Sequence, residues 1–92
     1  MRTLLVGYDL RKPGRDYEPV YAKLKSYARW WHGLDSTWMV RTELTAAQLR
    51  DELTALIDTN DRVLVMDVTN DQAAWRGLSK QAADWILARW QE

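Results

Sequence analysis

The chain has 92 residues, 47% of them hydrophobic and 28% charged, a composition typical of one folded domain rather than a disordered segment. It contains no cysteine and one histidine, which excludes a disulfide framework, a thiol nucleophile and a metal cage built from several histidines. The formal net charge is zero, which argues against a strongly basic nucleic-acid-binding protein.

The charges are nevertheless unevenly distributed along the chain. Residues 1–41 hold eight Lys/Arg and four Asp/Glu, a balance of +4, whereas residues 42–92 hold five and nine, a balance of −4. A local phosphate-binding patch and an ordinary solvated helix surface would both produce a basic front half. No apolar run is long enough to span a bilayer and no signal-peptide pattern begins the chain, so we expect a cytoplasmic protein without membrane contact.

Residues 2–10 alternate as a β-strand with two different faces. The bulkier face, which we expect to meet helices, carries Leu4, Val6, Tyr8 and Leu10. The flatter face carries Thr3, Leu5, Gly7 and Asp9, and the glycine leaves room there for close approach. Asp9 is therefore expected at the end of the strand, on a face without helices.

The next two elements are a helix and a short strand. Pro13-Gly14 predicts a turn, and Asp16 is the expected N-cap of a helix over residues 17–30, which has apolar residues at helical spacing. The Trp-rich stretch 30–35 is interpreted as a short strand and a turn, with Gly33 and Asp35 supplying the turn.

The second half of the chain continues with clearer signals. Residues 36–42 and 62–69 are rich in β-forming residues and predict two more strands. Between them, Thr45 and Gln48 form a capping-box pattern for a helix that should end near Asn60. Ser79 is the expected N-cap of a terminal helix whose apolar side carries Ala82, Ala83, Ile86, Leu87 and Trp90.

This order of elements predicts an α+β fold. The expected architecture is a ferredoxin-like βαββαβ antiparallel sheet of order 4-1-3-2, with two helices on one face and an added C-terminal helix. Residues 1–70 would form the ferredoxin-like domain, and residues 71–92 an extension packed on the same domain or on a dimer partner.

The expected topology brings distant residues to one edge of the sheet. The end of the first strand would lie beside the starts of its neighbours, collecting Asp9, Asp35 and Ser36 beneath a basic rim of Arg11, Lys12 and Arg15, with His32 in the adjoining turn. Asp9, His32 and Ser36 are the candidate catalytic residues. The alternative is that Asp9 pairs with Arg11 as a turn residue, that His32 is structural, and that Ser36 lacks the His-Asp pattern of a hydrolase.

Asp9 is also the candidate metal ligand, for Mg²⁺ or Mn²⁺. Such hard cations need several oxygen ligands, so one aspartate per chain is too few. Two-fold pairing of the flat strand faces would bring a second Asp9 near the first, because an isologous interface duplicates every group.

Two stretches of the sequence carry a family resemblance. Tyr-Asp-Leu-Arg-Lys-Pro-Gly at residues 8–14 and Trp-Trp-His-Gly-Leu-Asp-Ser-Thr-Trp at residues 30–38, together with residues 36–40 and 43–49, resemble the small CRISPR-associated protein of the Cas-two type. The likeness is greatest to stand-alone, SinR-like relatives. The VapD-type ribonuclease toxins, which share the expected fold, are more distant.

The resemblance implies a homodimer with facing sheets and metal-dependent phosphodiester cleavage by paired Asp9 residues. Many members of the wider family look like non-catalytic adaptors that bind duplex DNA and bridge an integrase. This chain has Met39-Val40-Arg41 in place of the usual Phe-Glu-Gly after the central strand, which argues against an integrase-type partner.

Three hypotheses follow from the sequence. The first is a Cas-two-like homodimer acting on RNA or DNA as a metal-dependent endonuclease or endoribonuclease, with Asp9 as ligand and Arg11, Lys12 and Arg15 contacting phosphate. The second is a non-catalytic dimeric module that binds nucleic acid. The third is an adaptor that docks a protein partner through its tryptophans.

Overall fold

A computed structural model describes residues 1–89, which form one four-stranded antiparallel sheet and three helices. The strands are β1 (Arg2–Asp9), β2 (Arg29–Leu34), β3 (Thr37–Thr42) and β4 (Arg62–Asp67), and the helices are α1 (Glu18–Lys25), α2 (Ala46–Thr54) and α3 (Lys80–Arg89). The predicted α+β class and antiparallel sheet are therefore confirmed.

The strands are arranged in the order β2-β3-β1-β4. Read from the opposite edge this is 4-1-3-2, so each strand has the neighbours that the sequence analysis expects. β1 pairs with β3 from Arg2 opposite Thr42 to Gly7 opposite Thr37, and with β4 from Leu4 opposite Asp67 to Asp9 opposite Arg62. The C-terminal end of β1 consequently lies beside the starts of both β3 and β4.

One face of the sheet packs against α1 and α2. Its fully or almost fully buried side chains come from β1, β3 and both helices: Leu4, Val6, Trp38, Val40, Val20, Leu24, Leu49 and Leu53. The bulky face of β1 thus meets helices, as its alternation predicts. We call this side of the sheet the core face.

The opposite face is partly covered by α3. Trp31, Met39 and Ile86 form a second buried cluster, with Leu5 and Trp85 packed at its margin. The Trp31 Nε1–H donates to the carbonyl oxygen of Ala82, 3.0 Å away, and ties α3 to β2. The expectation that the face of Asp9 carries no helix is therefore wrong for its β2–β3 half, because the apolar side of α3 needs cover and finds it on its own sheet.

Two helices are shorter than the sequence predicts. α1 was expected to continue to residue 30 but ends at Lys25, where the amide and hydroxyl of Ser26 both donate to the Lys23 carbonyl. Trp30 instead pairs with Val40 in the sheet, so strand pairing overrides the helical spacing. α2 begins with the predicted capping box of Thr45 and Gln48 but ends at Thr54 rather than near residue 60.

The remaining predictions concern the ends of elements. Asp16 is not the N-cap of α1, which begins after Tyr17, although the Asp16 carboxylate accepts a hydrogen bond from the Glu18 amide. Ser79 does cap α3, since its hydroxyl accepts from the Ala82 amide at 3.1 Å. Trp90, predicted to belong to this helix, lies outside the described residues.

None of the helices in residues 1–89 combines the length and the apolar character needed to cross a membrane.

Candidate functional site

Asp9 is the last residue of β1 and lies on the face opposite α1 and α2. Its side chain is 55% exposed, and its Oδ2 lies 3.5 Å from Nη2 of Arg11, whose side chain is 54% exposed. The interaction is long and solvated, so it holds the two groups together only weakly. Asp9 therefore presents an accessible carboxylate with a cation beside it.

The basic loop that follows Asp9 is held in place by Asp61, the residue before β4. Asp61 Oδ1 accepts from the Arg11 amide at 2.7 Å, and Oδ2 accepts from the Tyr17 hydroxyl at 2.7 Å and the Asp58 amide at 2.8 Å. Burial by itself would raise the pKa of Asp61. These hydrogen bonds and the nearby Arg15 lower the pKa by more than burial raises it, so it lies below the ordinary value. The carboxylate is thus kept ionised, which maintains the charge that orders the loop.

The other two cations of the loop also have acceptors on the α2–β4 connection. Nζ of Lys12 lies 3.7 Å from an Asp58 carboxylate oxygen, and a guanidinium N–H of Arg15 donates to the Leu56 carbonyl at 3.3 Å. Both side chains belong to exposed residues. The predicted basic rim therefore exists next to Asp9, as an anchored loop.

The turn between β2 and β3 lies at the same edge of the sheet. The Tyr8 amide donates to the Ser36 carbonyl at 3.1 Å, and the Tyr8 hydroxyl donates to the Asp35 carbonyl at 3.3 Å. A His32 ring nitrogen lies 2.9 Å from the same Asp35 oxygen. Asp35, Ser36 and His32 are thus brought to the end of β1, as the topology predicts.

These contacts do not assemble the three candidate catalytic side chains around one point. The His32 ring stacks on Trp38 at a centroid distance of 3.8 Å, and Trp38 belongs to the core face, whereas Asp9 lies on the other face. Ser36 meets the end of β1 through its backbone carbonyl. Asp9 and the basic loop therefore form the candidate site, with His32 placed on the far side of the sheet.

A metal ion would need more ligands than one chain supplies here. Within residues 1–89, no three His, Asp or Glu side chains come together in a way that could hold one. The single Asp9 carboxylate does not fit Mg²⁺ or Mn²⁺ by itself, since these ions prefer several oxygen ligands. The residues of one chain are thus insufficient for the predicted ion.

The β1–β4 half of the Asp9 face remains open. Leu64 and Met66 of β4 are 57% and 50% exposed, and a Cβ added to Gly7 would meet nothing within 4 Å. A shallow groove of about 240 Å³ runs beside Asp9 and Arg62. We call Gly7, Asp9, Arg62, Leu64 and Met66 the open half-face.

The predicted pairing surface also included Thr3 and Leu5. Thr3 is fully buried, and Leu5 packs against the buried cluster of Trp31, Met39 and Ile86, so only Gly7 and Asp9 of β1 remain available.

Sequence reasoning missed two features of this region. The sequence analysis assigns no role to Asp61, although a carboxylate in the Asn60-Asp61 turn could have indicated a cap for neighbouring backbone amides. Trp38 Nε1–H donates to the Tyr8 hydroxyl at 3.0 Å. Burial raises the pKa of Tyr8, with this hydrogen bond lowering it in part, so the phenol stays neutral and joins the sheet to the turn.

Comparison with known proteins adds no family assignment. No family model matches this chain, and no solved structure matches it. The features that bear on its function are therefore Asp9, the anchored basic loop and the open half-face.

Proposed function

We propose that this protein is a cytoplasmic, ferredoxin-like homodimer that acts on nucleic acid as a Cas-two-like, metal-dependent endonuclease or endoribonuclease. The observation that carries this proposal is the exposed Asp9 carboxylate at a strand end, directly beside an anchored loop containing Arg11, Lys12 and Arg15. A carboxylate suits a divalent cation, and a basic loop suits the phosphates of a nucleic acid.

A homodimer would complete what one chain lacks. The open half-face has exposed apolar side chains at Leu64 and Met66 and unoccupied space over Gly7. A two-fold contact through this surface would place two Asp9 residues at one interface, because both copies contribute the same patch. The two carboxylates would then hold Mg²⁺ or Mn²⁺, which supplies Lewis-acid chemistry to phosphodiester cleavage.

The residues of the loop have separate tasks in this proposal. Asp61 fixes the backbone of Arg11, so the loop is ordered before nucleic acid arrives. Lys12 and Arg15 supply positive charge for phosphate. Arg11 neutralises Asp9 until a cation takes its place at the carboxylate or a phosphate takes the place of Asp9 at the guanidinium. Phosphate attraction of this kind is independent of base sequence.

The test is cleavage by the full chain with Asp9 removed as a carboxylate. Wild type is incubated with labelled single-stranded and duplex RNA and DNA in Mg²⁺ or Mn²⁺, and cleavage should stop when the metal is chelated. Asp9→Asn should reduce the rate by a factor of about 10² or more, as expected when a residue that acts in the transition state is lost. Binding of the same nucleic acids should persist.

Asp51→Asn is the matched control. Asp51 is also an exposed aspartate beside an arginine, with Oδ1 2.9 Å from Nη2 of Arg50, but it lies on α2. The Asp51→Asn variant should cleave the substrates at the wild-type rate. Equal rates for Asp9→Asn and wild type would overturn the assignment of Asp9.

A second candidate function is non-catalytic binding of nucleic acid. The Arg11 guanidinium beside Asp9 favours it, because this pair is a contact within the turn that requires no metal. Wild-type protein that binds RNA or DNA with a steep salt dependence, but cleaves neither with any added divalent metal, would establish this function instead.

A further inference from the structure

The outer edge of β2 carries exposed aromatic rings that the candidate site does not use. β2 is an edge strand of the sheet in residues 1–89, and its Trp30 is 40% exposed. The Trp30 ring centroid lies 5.7 Å from that of Trp38, and the exposed His32 ring stacks on Trp38 within 11° of parallel. The buried Trp38 thus supports two aromatic rings that face outward.

The surroundings of these rings are positively charged. Nζ of Lys25 lies 5.7 Å from the Trp30 ring centroid. Two grooves of about 260 and 510 Å³ follow the same edge, and both are lined by Trp30 and Trp85. Arg29 lines the first and Arg76 the second, while no carboxylate side chain is among the described residues that line either groove. An anionic ligand with flat rings fits this surface better than a neutral or cationic one.

Single-stranded nucleic acid has this chemistry. Its unpaired bases can stack on aromatic side chains while its phosphates lie near cations, whereas a duplex hides the faces of its bases. We infer that the outer edge of β2 binds single-stranded nucleic acid, with bases stacked on Trp30 and His32 and phosphates near Lys25 and Arg29. This inference rests on the proposed function and names the form of nucleic acid that the protein selects.

The position of the aromatic edge agrees with this selection. His32 contacts the Asp35 carbonyl at 2.9 Å, and the hydroxyl of Tyr8, the residue before Asp9, contacts the same oxygen. The row of rings therefore ends at the same end of the sheet as Asp9 and the basic loop, but on the opposite face. A strand held along β2 would reach the candidate site by passing around this end of the sheet.

The test compares single-strand and duplex binding when one ring is removed. Labelled 12-nucleotide RNA and DNA, each single-stranded or paired with its complement, are titrated with the full chain in a polarisation assay. Trp30→Ala should weaken single-strand binding about tenfold, the effect of losing one stacked base, and leave duplex binding unchanged. The loss should be the same factor at each salt concentration, because stacking releases few counterions.

Two variants serve as controls. Trp75 is 39% exposed, close to the value for Trp30, but lines a different groove, so Trp75→Ala should bind like wild type. Trp30→Phe keeps an aromatic ring and should retain most of the affinity, which separates lost stacking from lost folding.

The possible results distinguish this inference from the proposed function. The inference alone would be overturned if Trp30→Ala left nucleic-acid binding unchanged. It would also be overturned if Trp75→Ala weakened single-strand binding as much as Trp30→Ala does, or if Trp30→Ala weakened duplex binding as much as single-strand binding. Absence of any nucleic-acid binding would overturn both. If an extended peptide paired with this edge and single strands did not bind, the ligand of the edge would be a protein partner and not a nucleic acid.

Discussion

Asp61 acts at the scale of a single residue by joining two segments that are distant in sequence. Its carboxylate accepts hydrogen bonds from the Arg11 amide, the Tyr17 hydroxyl and the Asp58 amide. Two side-chain oxygens that receive three donors must both be acceptors. An ionised carboxylate has two acceptor oxygens, whereas a side-chain amide has one acceptor oxygen and one NH₂ donor. The position of the basic loop next to Asp9 therefore depends on a residue that is not itself expected to touch nucleic acid.

Replacing Asp61 should loosen this loop. Asp61→Asn puts an NH₂ donor opposite groups that are themselves donors, so we expect amide exchange at Arg11 and Asp58 to become roughly tenfold faster. Amide hydrogen exchange followed by NMR measures this directly. Asp16→Asn is the control, because the carboxylate of Asp16 accepts from the Glu18 amide instead. Unchanged exchange in Asp61→Asn would contradict the anchoring role.

The same anchor predicts a pH dependence. Because the pKa of Asp61 is lowered in the folded protein, its stabilising effect is fully present above the ordinary Asp pKa of about 3.9 and is lost as pH falls through the lower, folded pKa. Protection of the Arg11 amide should therefore hold at neutral pH and fall only on strong acidification, and in Asp61→Asn this acid step should be missing.

At the scale of elements, the contact between β2 and α3 depends on a close approach of Trp31 to Gly33. A Cβ on Gly33 would lie 2.6 and 2.7 Å from Cε2 and Cη2 of Trp31, and closer still to Cζ2. The indole occupies this space while its N–H donates to Ala82. Gly33 thus allows the ring position that attaches α3 to the sheet.

Gly33→Ala should therefore detach α3 in part. Displacing the ring from a packed site costs about 1–3 kcal/mol of unfolding free energy, which urea denaturation would measure as a lower midpoint. Gly7→Ala is the control, since a Cβ there meets open space and should be nearly neutral or slightly stabilising. Equal stabilities for Gly33→Ala and wild type would show that α3 does not need this contact.

At the scale of the whole molecule, the placement of α3 determines how two copies could meet. The helix covers the β2–β3 half of the Asp9 face and leaves the open half-face exposed. Pairing across the complete sheet, as the resemblance implied, is not compatible with α3 in this position. The proposed homodimer would therefore have to use β1 and β4, which is also where Asp9 lies.

A negative charge introduced on the open half-face should prevent the proposed dimer from forming. Leu64→Glu places like charges at a two-fold contact and removes an apolar side chain, so the dissociation constant should rise roughly hundredfold. Sedimentation at micromolar concentration measures this change. Leu87→Glu is the matched control, because Leu87 is 50% exposed but lies on α3. The shared Asp9 site would be excluded if the wild-type protein were a monomer. It would also be excluded if Leu87→Glu dissociated the dimer and Leu64→Glu did not.

Much of the fold could be predicted from the sequence because the decisive interactions are local. Alternation placed Leu4 and Val6 against helices, and the capping box of Thr45 and Gln48 marked the start of α2. Each of these signals depends on residues two to four positions apart, where side-chain direction follows from secondary structure alone. The position of Ser36 beside the end of β1 followed once the strand order was deduced.

The remaining features depended on tertiary structure. Trp30 and Trp31 are neighbours in sequence, yet Trp30 packs near Trp38 while Trp31 lies under α3 on the other face. Likewise, Asp61 meets Arg11 fifty positions away, and His32 stacks on Trp38 instead of approaching Asp9.

The α+β class, the order of the sheet and the edge at which Asp9 and the basic loop lie thus follow from local patterns in the sequence. The covering of half of the Asp9 face by α3, and the identity of the aromatic rings that remain exposed, follow from the packing of the folded chain. The physical reason is that an apolar side of a helix can be covered by any complementary surface, so its partner is chosen by the path of the chain and not by local pattern.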